Sequence, residues 1–182
     1  MSVGTIGTPA PSLELPAAGG ERRSLEEFHG RPVFISFLGP PYCPICRAHV
    51  IKLIQAKDDI AKADVGVILV AFSDPELLMS KMMRDLDVPF LLLLDRSRES
   101  YVRWGLGPFH WKALLAPGLY SGLFKVIFKR HALMAPTLDP IQMGGDFVVD
   151  RAGKLVFVNR MRSLHDRAHV QDMLAAVSPV SA

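Results

Sequence analysis

Residues 31–47 read RPVFISFLGPPYCPICR, and this stretch decides the fold. Arg31 to Leu38 is rich in β-branched and aromatic residues and predicts a buried strand. Gly39-Pro40-Pro41-Tyr42 breaks it. A helix is then expected from Cys43 to about Ala63, with Val50, Leu53, Ile54, Ile60 and Ala61 on its apolar face. Pro44 fits the first helical turn, where its missing N–H costs nothing. Cys43 and Cys46 therefore share one face at the amino end of a helix, at a spacing compatible with a disulfide.

Working outward, the same alternation repeats. Ser12 to Leu15 reads as a short strand, and Ser24-Leu-Glu-Glu-Phe28 has a capping-box start. Val65 to Phe72 and Pro89 to Asp95 read as further strands, with a helix from Ser73-Asp-Pro-Glu to about Leu86 between them. Arg98 to Trp104 reads as a short helix stopped by Gly105. Asp146 to Asp150 and Lys154 to Val158 form a hairpin, and Leu164 to Val177 a closing helix. Strands alternating with helices predict an α/β fold with a central sheet covered on both faces. The chain of 182 residues suits a single domain, with an arm over 1–12 and an insertion over 106–143.

Composition excludes several classes. Apolar residues make up 49 % of the chain, enough for a core without a disulfide staple. The net charge of +3 is too small to suggest nucleic-acid binding, although basic residues gather between Arg96 and Arg130 with Glu99 as the one acid. The longest apolar runs fall far short of the roughly 20 residues of a membrane span. The first residues lack the basic and apolar regions of a signal peptide, so a cytoplasmic location is expected. In a reducing compartment a lone pair of cysteines is catalytic or metal-binding before it is structural.

The chemistry expected of Cys43 and Cys46 is redox. The helix amino end favours a thiolate, and a neighbouring thiol can resolve a mixed disulfide or sulfenic acid. A zinc site would need His49 and another ligand, since there is no second CxxC; buried, inert cysteines are the remaining alternative. Tyr42 and Pro41 are placed at the rim of the pair. His49 reads as a solvated helix residue before a thiolate partner, His165 and His169 as a surface pair, Ser73 and Asp74 as helix caps, and Trp104 and Trp111 as core. The insertion, with Phe124, Val126, Ile127 and Phe128 beside Lys125, Lys129 and Arg130, reads as a lid or a homodimer face before a membrane-surface element.

The segments Leu13-Glu-Leu-Pro, Ser24-Leu-Glu-Glu-Phe, Gly30-Arg-Pro-Val-Phe-Ile-Ser-Phe and Cys43-Pro-Ile-Cys-Arg47 together resemble the opening of the thioredoxin-like AhpC/TSA (peroxiredoxin and redoxin) family. Asp95 with Tyr101 and Trp104-Gly-Leu, then Gln142-Met-Gly-Gly-Asp-Phe-Val-Val-Asp150, resemble its later segments in a branch that carries a CxxC. The resemblance implies a thioredoxin-like fold with a mixed sheet and an insertion before the closing hairpin. It also implies a thiol-disulfide oxidoreductase in antioxidant defence or redox homeostasis, cycling a Cys43–Cys46 disulfide without organic cofactor or metal. Its partners would be an oxidant or disulfide substrate and a dithiol reductant of thioredoxin or glutathione type. Peroxidase action by Cys46 is one alternative, and a non-enzymatic redox sensor or metal-binding adaptor another.

The departures from that family are specific. Its Pro-x-x-x-Thr-x-x-Cys pattern would place the attacking cysteine at Cys46, with Cys43 in the Thr position and Gly39 in the Pro position, beside Pro40. The family's distal Arg would fall on Gly144, and Arg47 is the candidate to replace that cation. A thioredoxin-type reading instead makes Cys43 the attacker and Cys46 the resolver, with Gly144-Gly145 where thioredoxins carry a cis-proline. The residues leave both orders open.

Overall fold

The computed structural model describes residues 4–107, 142–163 and 166–177, apart from the side chains of residues 79–81. The expectations for the greater part of the insertion, including Trp111 and its apolar and basic residues, and for His165 lie outside the described residues. A small antiparallel ribbon joins β1 (Glu14–Pro16) to β2 (Arg22–Ser24), pairing Leu15 with Arg23. The second strand of that ribbon carries no sequence signal of its own. It forms because Gly20, at φ +96°, turns the chain back on itself. A 3-10 turn (Leu25–Phe28) follows, its Glu27 carboxylate accepting the Ser24 N–H at 2.7 Å.

The main sheet contains β3 (Val33–Phe37), β4 (Gly66–Ala71), β5 (Leu91–Leu94), β6 (Gly145–Val149) and β7 (Leu155–Arg160), in the order β5-β4-β3-β6-β7. The pairs β3–β4 and β4–β5 are parallel, while β3–β6 and β6–β7 are antiparallel, so the sheet is mixed. Helices α1 (Pro44–Gln55), α2 (Lys57–Lys62), α3 (Pro75–Lys81), α4 (Glu99–Arg103) and α5 (Val170–Val177) complete the described elements.

Alternation along β3 divides the interior into two layers. Phe34 packs with Val50, Leu53, Leu69, Val148 and Met173 on one face. Ile35 and Phe37 pack with Ile68, Val70, Tyr101, Trp104 and Phe147 on the other. Phe37 is central to that second layer, with ring centroids 4.9 Å from Tyr101, 5.4 Å from Trp104 and 5.7 Å from Phe147. Trp104 is thus core, as expected. The Tyr101 hydroxyl lies 2.7 Å from Leu38 O and 2.9 Å from Val70 O, tying α4 to the carboxyl ends of β3 and β4.

Three helices differ from expectation. The helix expected over 43–63 is divided at Ala56, whose ψ of 8° interrupts it, yet Ile60 still reaches the core. The helix expected to reach Leu86 ends at Lys81: Met83 N–H bonds back to Leu78 O, and Asp85 takes a left-handed φ of +58°. The closing helix starts at Val170 instead of Leu164. Residues 166–169 are not helical because the Ala168 N–H and the Arg167 side chain are bonded to Asp146.

Truncating Phe37 to Ala removes the hub of the aromatic layer and is expected to cost about 3–5 kcal/mol. Urea unfolding checks this. The midpoint should fall with little change in the denaturant slope.

Candidate active site

The carboxyl end of β3 delivers the chain to the cysteines. Cys43 N–H closes a turn onto Pro40 O at 2.9 Å, and Cys43 becomes the N-cap of α1 with extended backbone. Its Sγ accepts the Cys46 N–H at 3.3 Å, satisfying one of the helix's orphan amides. Pro44 occupies the first turn, as its fixed φ favours. Cys46 lies one turn in and is 1 % exposed, whereas Cys43 is half-buried. Tyr42 is exposed at 54 % and Pro41 is buried beside it.

Cys46 Sγ accepts two hydrogen bonds, from Gly39 N–H at 3.2 Å and from Arg167 Nη2 at 3.4 Å. A Cβ on residue 39 would sit 3.1 Å from the sulfur, so glycine is what allows the backbone amide this close. The Cys46 sulfur is drawn down to about 5 by the hydrogen bond from the Cys43 thiol, against burial, and then by the charge and hydrogen bond of Arg167 and the Gly39 amide. Cys43 is pushed well above the usual thiol range by giving its proton to that bond, by burial and by repulsion from Cys46. The pair thus holds its negative charge on the inner sulfur.

Arg167 replaces the cation that the sequence assigned elsewhere. Arg47 does not face the cysteines: its Nη1 donates to Met82 O at 2.6 Å. Arg167, from the loop before α5, is 6 % exposed at its side chain and donates through Nη2 to Phe37 O at 2.9 Å as well as to Cys46. Its Nη1 donates to Asp146 Oδ1 at 2.9 Å. Gly144 makes this possible. A Cβ there would overlap the Phe37 carbonyl and lie 2.7 Å from Arg167 Nη2. Gly145 is equally tight, with Leu106 Cδ2 at 2.7 Å and Asn159 O at 2.8 Å from a Cβ. The position at which the family resemblance puts an Arg is therefore the gap into which an Arg from another element reaches.

His49 corrects a second expectation. It is buried at 2 % exposure, with Nε2 3.1 Å from Asp146 Oδ1 and 3.2 Å from Ser36 Oγ. A zinc set built on Cys43, Cys46 and His49 is not assembled, since that nitrogen faces the Asp146–Ser36 pair. Among the described residues no cluster of three or more His, Cys, Asp or Glu is placed to hold a metal. Burial raises Asp146, but the charges of Arg167 and His49 and the bonds from His49 and Ala168 outweigh it, leaving the carboxyl well below the usual range. Ser36 and Asp146 were detectable as lone polar residues in apolar strands. Arg167 left no such trace.

Substituting Gly144 by Ala is expected to displace the guanidinium and move the alkylation profile of Cys46 up by about one unit, roughly a tenfold loss of rate on the rising limb below about pH 5, the effect of losing a paired cation. A pH dependence of stability follows as well. Unfolded thiols titrate near 8.5, so between about 5 and that value the unfolded reduced chain holds the extra proton. Reduced protein should gain stability as pH rises through this window and lose it as pH falls through about 5. Urea midpoints of the disulfide form should lack the trend.

Comparison with known proteins agrees with this architecture. Peroxiredoxin Bcp of Escherichia coli (strain K12) is 29 % identical over 125 residues, covering 67 % of this chain and 76 % of that protein. Thiol-disulfide oxidoreductase ResA of Geobacillus thermodenitrificans (strain NG80-2) is 24 % identical over 103 residues, 57 % of this chain and 59 % of ResA. The crystal structure of peroxidoxin BcpB from Mycobacterium tuberculosis superposes with a TM-score of 0.69 at 17 % identity, covering 98 % of this chain and 99 % of BcpB. The family model described as AhpC/TSA matches residues 6–158. The chain therefore belongs to the AhpC/TSA family and is a peroxiredoxin-like oxidoreductase on a thioredoxin-like fold.

Proposed function

We propose that the chain reduces small hydroperoxides at Cys46 and discharges the oxidised sulfur through Cys43. The observation that carries this reading is the buried Arg167 guanidinium bonded to the Cys46 sulfur. A cation at that point favours the thiolate and can stabilise charge developing on the peroxide oxygens. The Cys46 thiolate attacks one peroxide oxygen. The S–O bond forms as the O–O bond breaks, and the alkoxide or hydroxide leaves as alcohol or water after taking a proton. Cys43 then attacks the Cys46 sulfenic acid, forming the S–S bond and releasing water. An external dithiol, of thioredoxin or glutathione type, returns two electrons and restores both thiols.

Exposure divides the roles. Cys46, at 1 %, suits an oxidant of a few atoms, while the more open Cys43 suits a bulky reductant. Cys43 occupies the family's Thr position and keeps a hydrogen-bond donor there. The greater exposure of Cys43 also favours a second reading, in which it opens a protein disulfide by direct attack. Its raised pKa disfavours that order, because the thiolate is the nucleophile. No described helix is long and apolar enough to cross a membrane.

One equivalent of hydrogen peroxide with a sulfenic-acid trap, read by mass spectrometry, separates the two readings. Cys43→Ser should consume one equivalent and trap a sulfenic acid on Cys46, and Cys46→Ser should trap none. Loss of insulin-disulfide reduction in Cys43→Ser, with peroxide consumption intact in Cys46→Ser, would establish the second reading.

A further inference from the structure

Asp146 is fully buried, and it does not touch either sulfur in any hydrogen bond of the site. Its carboxylate instead holds two consecutive residues of the loop before α5. Oδ1 accepts Arg167 Nη1 at 2.9 Å and Oδ2 accepts the Ala168 N–H at 3.1 Å. The carboxylate is itself anchored from two other elements. Ser36, its cross-strand partner on β3, donates to Oδ1 at 2.9 Å, and His49 Nε2 of α1 stands 3.1 Å away. Phe37, next to Ser36, supplies the carbonyl that receives the other arm of the guanidinium. The guanidinium fork is thus fixed at both nitrogens before it reaches Cys46.

We propose that Asp146 is the positioning residue of this site: it clamps the loop at Arg167 and Ala168 and thereby sets the guanidinium on the Cys46 sulfur. The proposal rests on reading Cys46 as the reactive thiolate. A buried cation stripped of its carboxylate is not tolerated in place, so without Asp146 the side chain leaves for solvent and takes its hydrogen bond with it.

The sign of one measurement decides the matter. A carboxylate acting on Cys46 only through space repels the thiolate, so its removal would make Cys46 more acidic. A carboxylate that positions Arg167 does the opposite. The titratable and charged groups around Cys46 are Cys43 on its own helix, Arg167 from the loop before α5, Asp146 on β6, His49 on α1 and Tyr101 on α4. Of these, only removal of Asp146 distinguishes the two mechanisms by direction.

The experiment measures the pH dependence of iodoacetamide alkylation of Cys46 in a Cys43→Ser background, where Ser still offers a hydroxyl donor. Asp146→Asn should shift the profile up by about one unit or more, roughly a tenfold loss of thiolate on the rising limb. In an Arg167→Ala background the same substitution should give no rise. Ser36→Ala, which alters no charge and removes one anchor of the carboxylate, should give a smaller rise and covers the case in which Asp146→Asn fails to fold. A downward or absent shift in Asp146→Asn, or in Ser36→Ala where the former does not fold, overturns the positioning role and leaves the peroxide chemistry standing. A Cys46 profile near the ordinary 8.5 before any further substitution overturns both.

Discussion

A buried guanidinium governs the arrangement around the cysteines. Placing a cation at 6 % exposure costs several kcal/mol of lost hydration unless anions and carbonyls replace the water. Arg167 finds Asp146, the Phe37 carbonyl and the Cys46 sulfur, contributed by β6, β3 and α1. Each partner in turn constrains its own element. Gly144 must lack a side chain, Asp146 must face the helix side of the sheet, and residues 166–169 must stay out of the helix that follows them.

The same arrangement explains why two cysteines three residues apart are unlike. Cys43 is the N-cap and is satisfied by a single amide, with one side open. Cys46 receives the Gly39 amide, the guanidinium and the Cys43 thiol, and is enclosed. A helix amino end alone would favour a thiolate at either position. The asymmetry comes from what the sheet and the loop before α5 add to the inner sulfur. It encloses the inner sulfur and leaves the outer one open.

Much of this was legible beforehand. The apolar runs 65–72 and 89–95, the turn at Arg151-Ala-Gly153 and the strand leading into CxxC all appear as elements near their expected positions, because continuous β-branched runs and glycine turns are local signals. Ser36 and Asp146 interrupt otherwise apolar strands, and period two aligns them in the antiparallel register of β3 with β6. That alignment needs the pairing partner, which no single strand discloses.

The amino-acid order alone determined the strand–CxxC–helix unit, since it depends on residue type and on neighbours a few positions away. Tertiary structure alone decided which cation meets the thiolate. Arg47 is next to Cys46 in the chain but is turned to Met82 O, whereas Arg167 is 121 residues distant and within hydrogen-bonding reach of the sulfur. The physical reason is that a charge in the interior is placed by the partners that stabilise it, and those partners lie on elements that only folding brings together.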